Sequence, residues 1–331
     1  MTEPEVVTVS TYEHAREAFR RKDLRQALYD EGEVVMADVL VNLHGDEHRA
    51  RRRLENRLFR KDTHTRYERE LFPPVVAATL APHVARGGAE LVSLSHEMMM
   101  NLSAFTAGID RPRGTPEETR HLYASMMLFI EGATLAHYAG DRDAKRAEVT
   151  AALERFDAEF LAPSIARRRA LLAEVSAGER DEADLPRDVL TTLLRNHDDL
   201  HLPHDVVLRE TCFFLLAGAH TSATAFVRTL HHVFVMADER PEDHERARTD
   251  MGFLQRCVHE TVRLQPSSPV AARWALADVE LSGGVAVPEG AKLVIDLMAA
   301  NRDPAVFGPD ADTFDPHREL CLLYTSPSPR D

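Results

Sequence analysis

Aromatic residues are scarce, 6% of 331 with a single tryptophan, while Ala, Leu, Arg and Glu abound, a balance that favours helices. Glycine and proline are few, 15 and 18, and 44% of the residues are hydrophobic, which excludes a collagen-like, low-complexity or wholly disordered chain. Three cysteines, Cys212, Cys257 and Cys321, make no disulfide framework, and no CxxC pair points to structural zinc. The longest strongly apolar run, Cys212 to Ala219, is far too short to cross a bilayer. The opening Met-Thr-Glu-Pro-Glu lacks the basic and apolar regions of a signal peptide. Basic residues are outnumbered, 40 against 54 acidic, and the net charge of −14 argues against a nucleic-acid partner. The expectation is a cytoplasmic, helix-rich protein with neither membrane nor nucleic acid as partner.

What is present is mostly helical periodicity. Residues 11–29 carry Ala15, Ala18, Phe19 and Leu24 at helical spacing, and a basic helix runs over 48–59 behind the cap Asp46. Helical patterns continue over 66–86, 89–107, 117–138 and 143–177. A long helix apolar on almost every face is expected to begin near His204 and run to about 237, and another spans 250–264 before Pro266. Only then do strands appear, over 270–281, 285–287 and 292–297, with Gly283-Gly284 and Pro288-Glu289-Gly290 as turns. No repeat or linker divides the chain, so it reads as one mainly α domain with a small late β region.

Five features carry chemistry. Gly218 sits inside the long helix, where glycine costs about 1 kcal/mol against alanine, so either a close neighbour or a ligand should require it. Thr221 can bond back to the carbonyl of residue 217, loosening the ladder into a local bulge where a hydroxyl meets a ligand, or can merely ease packing. Glu260 and Arg263 share a helix face, as a solvated pair or something more. The basic helix offers a solvated face, or forks for an anionic ligand. Arg273 is a cation in an otherwise apolar strand.

The order of these pieces resembles that of bacterial, soluble cytochromes P450, over about residues 8–318. The matching residues are His48 with Arg52, Ala217-Gly218-Ala219-His220-Thr221, Glu260-Thr261-Val262-Arg263, Arg273, Ala300-Asn301-Arg302-Asp303-Pro304 and Phe314-Asp315-Pro316-His317-Arg318. The resemblance implies the P450 fold and a haem-thiolate monooxygenase that inserts one atom of dioxygen into an apolar organic substrate. It implies haem b, with electrons from a ferredoxin- or flavodoxin-type donor. His48, Arg52 and Arg273 would hold the haem propionates, and Ala217 and Gly218 would approach haem and substrate. Thr221 would position dioxygen and protons, and Glu260, Arg263 and Arg318 would form a buried structural ion pair with its third member. Arg51 and Arg53 are candidates to face an acidic electron donor. The substrate pocket is expected near Met126–Tyr138, the central helix and Val270.

Two departures stand out. His220 occupies the place where P450s usually carry an acid before the threonine; it either relays protons in a pH-sensitive way or only fills space. The glycine-rich loop with the axial cysteine, a ligation typical of P450s, has no counterpart after Arg318. Cys321 lies too close to Arg318, and Cys212 and Cys257 read as helix-core thiols. The expectation is therefore a P450-like domain over 1–319, short at its N-terminus and missing its C-terminal part, with 320–331 a non-native tail, and with weak or no haem binding. Two alternatives remain: a haem-free helical binding or structural protein, and a metal-dependent hydrolase using His197, Asp198, Asp199, His201 and His204.

Overall fold

The computed structural model describes residues 4–319. They fall into two compact units, 4–28 with 224–319, and Tyr29–Ala223. Cys321 and the 320–331 tail lie outside the described residues.

The first unit holds the strands. β1 (Val6–Val9), β2 (Leu24–Gln26), β3 (Val270–Ala275) and β6 (Lys292–Asp296) form a sheet of order β1-β6-β3-β2, and β4 (Val279–Leu281) pairs with β5 (Val285–Val287). β1 runs parallel to β6, from Val6 opposite Lys292 to Val9 opposite Ile295; the other pairs are antiparallel. Leu293, Ile295 and Leu297 are fully buried against Val9, Ala15, Ala18 and Leu24. A second cluster packs Phe253 and Cys257 of the helix Met251–Leu264 against Val233, Met236 and Ala247.

The 11–29 stretch is a correction. Its helix ends after Tyr12–Ala18, and Leu24–Gln26 is β2, because Leu24 is buried opposite Ala275 and sheet pairing outweighs local helical spacing. The expected 270–281 strand is likewise two strands, β3 and β4.

The second unit is helical. Its main helices are Gly45–Glu55, Phe72–Ala85, Leu91–Ala107, Pro116–Ala133, Arg142–Phe156, Ala162–Ser176 and Val189–Arg195. The first part of the 36-residue central helix, His204–Glu239, completes it. Caps explain several starts: Thr115 accepts from the Glu118 amide ahead of Pro116, and Asp188 accepts from the Thr191 amide. The expected 66–86 and 143–177 helices each contain a π turn, Tyr67–Leu71 and Asp157–Leu161. Each turn precedes prolines, Pro73-Pro74 and Pro163, which have no N–H for the carbonyls four residues back. The core gathers Val35, Met100, Leu122, Met126, Phe129, Phe156 and Leu215, all fully or almost fully buried.

Candidate functional site

Within the second unit lies a cavity of about 960 Å³. Its walls include Leu40, Val41, Phe72, Val76, Phe213, Phe214, Ala217 and Gly218, and its polar edge includes His48 and Arg52. The basic helix puts the two at positions i and i+4, hence on one face. Arg52 stacks on the Phe59 ring, 4.6 Å from its centroid, and among the described residues no carboxylate pairs with it. Burial, then the cations Arg52, His44 and Arg49, hold His48 below its usual range, so its imidazole is neutral at pH 7. His64 and Glu68 also reach the edge, so the anion-binding character rests on the Arg52 guanidinium, which has no carboxylate partner among the described residues, beside the neutral His48; that pair suits an apolar molecule carrying an anionic group.

Ala217 and Gly218 reach the cavity from the central helix. Thr221 donates to the Ala217 carbonyl at 2.6 Å, yet the helix runs unbroken from His204 to Glu239. The anticipated bulge is therefore absent; a back-bonded threonine satisfies itself on the existing carbonyl without displacing the ladder. Gly218 has a close neighbour: a Cβ there would stand 2.8 Å from Ser103 Oγ of the helix Leu91–Ala107. Gly218→Ala is expected to cost about 1 kcal/mol in urea unfolding, with Ser103→Ala restoring much of it in the double variant.

His220 is half-buried, and burial first, then the nearby His96, holds it below the usual histidine range. His96 itself stacks on Tyr123, whose hydroxyl lies 3.0 Å from His96 Nδ1. A proton NMR titration should find His220 titrating below about pH 6.5, the reference histidine value. His96→Leu should raise it by removing a cation that opposes protonation; no change would separate the two histidines.

In the first unit, Glu260 grips Arg263 with both oxygens, at 2.7 Å to Nε and 2.7 Å to Nη2. Arg263 also donates to the carbonyls of Asn301 and Ala311, each at 2.7 Å, and is 2% exposed. Arg318 Nε comes within 3.4 Å of Glu260, and Asp310 holds Arg318 from the other side at 3.1 Å. The turn-rich Ala300–Pro304 stretch, silent in composition, thus serves as an acceptor for the buried guanidinium. Arg273, on β3, bonds Gln26 at 2.5 Å and lies 5.1 Å from the Phe19 ring.

Two expectations fall differently, while Cys212 and Cys257 are buried helix thiols as read from the sequence. Arg51 faces no acidic partner protein: it is buried and paired with Glu210 at 2.8 Å, because its side of the helix turns inward, whereas Arg53 stays exposed. Met126–Tyr138 does not line the cavity, since Met126, Phe129 and Ala133 point into the core. Cys212 and Cys257 are buried free thiols that do not line it either; burial pushes Cys212 well up and Cys257 to about 11, far from thiolate at neutral pH. Among the described residues no group of three or more His, Cys, Asp or Glu could hold a metal ion. Tyr67, Thr106 and Val189 also belong to the cavity wall, and nothing in their local sequence patterns marks them.

A cytochrome P450 family model matches residues 158–320. Cyclooctat-9-en-7-ol 5-monooxygenase of Streptomyces melanosporofaciens is 26% identical over 316 residues, covering 88% of this chain and 65% of that protein. "Probable cytochrome P450 313a1" of Drosophila melanogaster is 33% identical over 135 residues, 35% of this chain and 27% of that protein. This chain thus spans less than two thirds of the length of these relatives. Among solved structures, the P450 enzyme CxnD, described as forming a C–S bond in chuangxinmycin biosynthesis, has a TM-score of 0.74 at 20% identity, covering 97% of this chain and 74% of its own. CalO2 has a TM-score of 0.71 at 19% identity, covering 97% and 78%. Among the described residues no helix is long and apolar enough to cross a membrane. Family model, relatives and fold agree: residues 158–320 match the cytochrome P450 family, and the chain as a whole is similar to cytochromes P450.

Proposed function

We propose that this chain is the haem-cradling part of a monooxygenase acting on an apolar organic substrate. The observation that carries the reading is the apolar cavity edged by His48 and Arg52. Its donor set fits the group the family implies: Ala217, Gly218 and the phenylalanines offer an apolar wall for a macrocycle, and Arg52, which lacks a carboxylate partner among the described residues, would hold its carboxylates. Haem, when bound, supplies the activation of dioxygen.

The chain's own residues then divide the work. Arg52 and His48 would hold the propionates of a bound haem. Phe213, Phe214 and Leu40 keep water from the reacting face and accept an apolar substrate. Thr221 holds a proton at its hydroxyl, and His220, neutral at pH 7, accepts and returns one at its ring. Glu260, Arg263 and Arg318 brace the sheet unit and take no part in chemistry. The exposed Arg53 is assigned to meet the ferredoxin- or flavodoxin-type donor. Cys212 and Cys257 are excluded as iron ligands by burial and by their absence from the cavity walls.

Haemin supplied to the purified chain, followed by dithionite and carbon monoxide, tests this. The expected result is weak haem retention with a spectrum unchanged by Cys212→Ala/Cys257→Ala. Loss of all retention would favour a haem-free binding protein, and a thiolate-type Soret band abolished by the double variant would overturn the exclusion of these cysteines.

A further inference from the structure

Three ionisable side chains are buried beside the cavity without a part in the proposed chemistry. Arg51 and Glu55 lie on the basic helix and Glu210 on the central helix; Glu55 and Glu210 are 0% exposed. Glu210 accepts from Arg51 Nη1 at 2.8 Å and from the Leu40 amide at 2.9 Å. Arg51 also donates to the Asp38 carbonyl at 2.5 Å, and Arg209 donates to the Ala37 carbonyl at 2.8 Å. Backbone groups of Ala37, Asp38 and Leu40 are therefore pinned by side chains of two helices, and Leu40 and Val41 form cavity wall.

Glu55 is the anomaly. Neither of its oxygens has a hydrogen-bond partner among the described residues, which an ionised carboxylate in such surroundings does not tolerate. Facing it are Arg51 and Arg52 of its own helix and Glu210 of the central helix. The helix Val189–Arg195, also packed on the basic helix, brings only Arg195, which is paired with Glu182, and the turn Leu40–Asn42 has no ionisable side chain. One buried arginine between two carboxylates leaves one of them neutral. Burial first, then Glu210, pushes Glu55 up to about 8. Because the folded value lies above the unfolded one, the folded state gains a proton over this range, and stability falls as pH rises from the ordinary carboxylate range through about 8.

We propose that Arg51 and Glu210 are positioning residues that latch the Ala37–Leu40 segment as a wall of the cavity, and that Glu55 sets the latch by its protonation. Neutral, Glu55 leaves Arg51 on Glu210 and the Asp38 carbonyl. Ionised, it draws Arg51 away and frees the wall. The cavity's service to haem rests on the function proposed above; the latch is a property of the chain by itself and is tested without haem.

The test is amide hydrogen exchange at Leu40, expressed as protection relative to the free-chain rate at each pH from about 6 to 9.5. In the wild type, protection should fall by up to about tenfold per pH unit between about pH 6 and 8 and level off above about pH 8.5. Glu55→Gln and Glu55→Leu should both keep it flat, and Glu210→Gln should lower it at every pH. Near-ultraviolet circular dichroism identifies any variant that fails to fold, and either Glu55 substitution suffices. Protection independent of pH in the wild type, or a fall that persists in the folded Glu55 variants, overturns the latch. A chain that binds no haemin yet shows the pH-dependent protection contradicts the proposed function and leaves the latch standing.

Discussion

Replacing Arg263 by alanine should lower the stability of the sheet-containing unit by about 3–5 kcal/mol, the usual cost of breaking one partner of a buried ion pair. The magnitude follows from what is left behind. Glu260 loses its bidentate partner while 5% exposed at its side chain, and Arg318, at 3.4 Å, replaces only part of the charge. The carbonyls of Asn301 and Ala311 lose their donor as well. Arg263→Lys should lie between the two, since an ammonium keeps the charge but not the fork that spans Glu260. Urea unfolding of the three proteins measures this, and an Arg263→Ala cost below about 1 kcal/mol would place the pair in the solvated class.

Arg168→Ala should cost the helical unit a comparable ~3–5 kcal/mol. Arg168 reaches Asp188 at 2.9 Å and Asp110 at 2.6 Å, and both Arg168 and Asp188 are buried. Asp188 also caps a helix, because its other oxygen accepts from the Thr191 amide at 2.6 Å at the start of Val189–Arg195. Asp188→Asn keeps a competent cap and removes only the charge, so it should cost less than Arg168→Ala, which strands a buried carboxylate. Hydrogen exchange across Val189–Arg195 separates them: Arg168→Ala should expose that helix more than Asp188→Asn does. The reverse order would show that the cap, rather than the charge, dominates there.

How much of the fold and site is legible in the sequence depends on the range of the interaction that decides each feature. His48 and Arg52 can be paired because a four-residue interval on a helix shares a face. The Glu260–Arg263 interval is equally visible, but its burial is not; that is set by the carbonyls of Asn301 and Ala311, 38 and 48 residues on. Arg51 shows the limit. Within a run of arginines it reads as solvated, and only Glu210, 159 residues away, explains its burial. Glu210 itself does leave a signal, an acid set among Val206, Val207, Phe213 and Phe214. The Val6–Val9 strand likewise carries a β-branched signature, yet its partner β6 begins only at Lys292. Gly218 is legible as a position that needs a close neighbour; that the neighbour is Ser103 only packing could reveal.

The central claim is that the cavity holds haem through Arg52 and His48, and a haemin titration followed in the Soret region tests it most directly. Charge-assisted hydrogen bonds of ~1.5–3 kcal/mol translate into a Kd raised about 10- to 100-fold in Arg52→Ala, with a smaller rise in His48→Ala. Saturable binding that weakens in this order is the predicted result. Identical titrations for wild type and Arg52→Ala, or no Soret change in any of the three proteins, would contradict it.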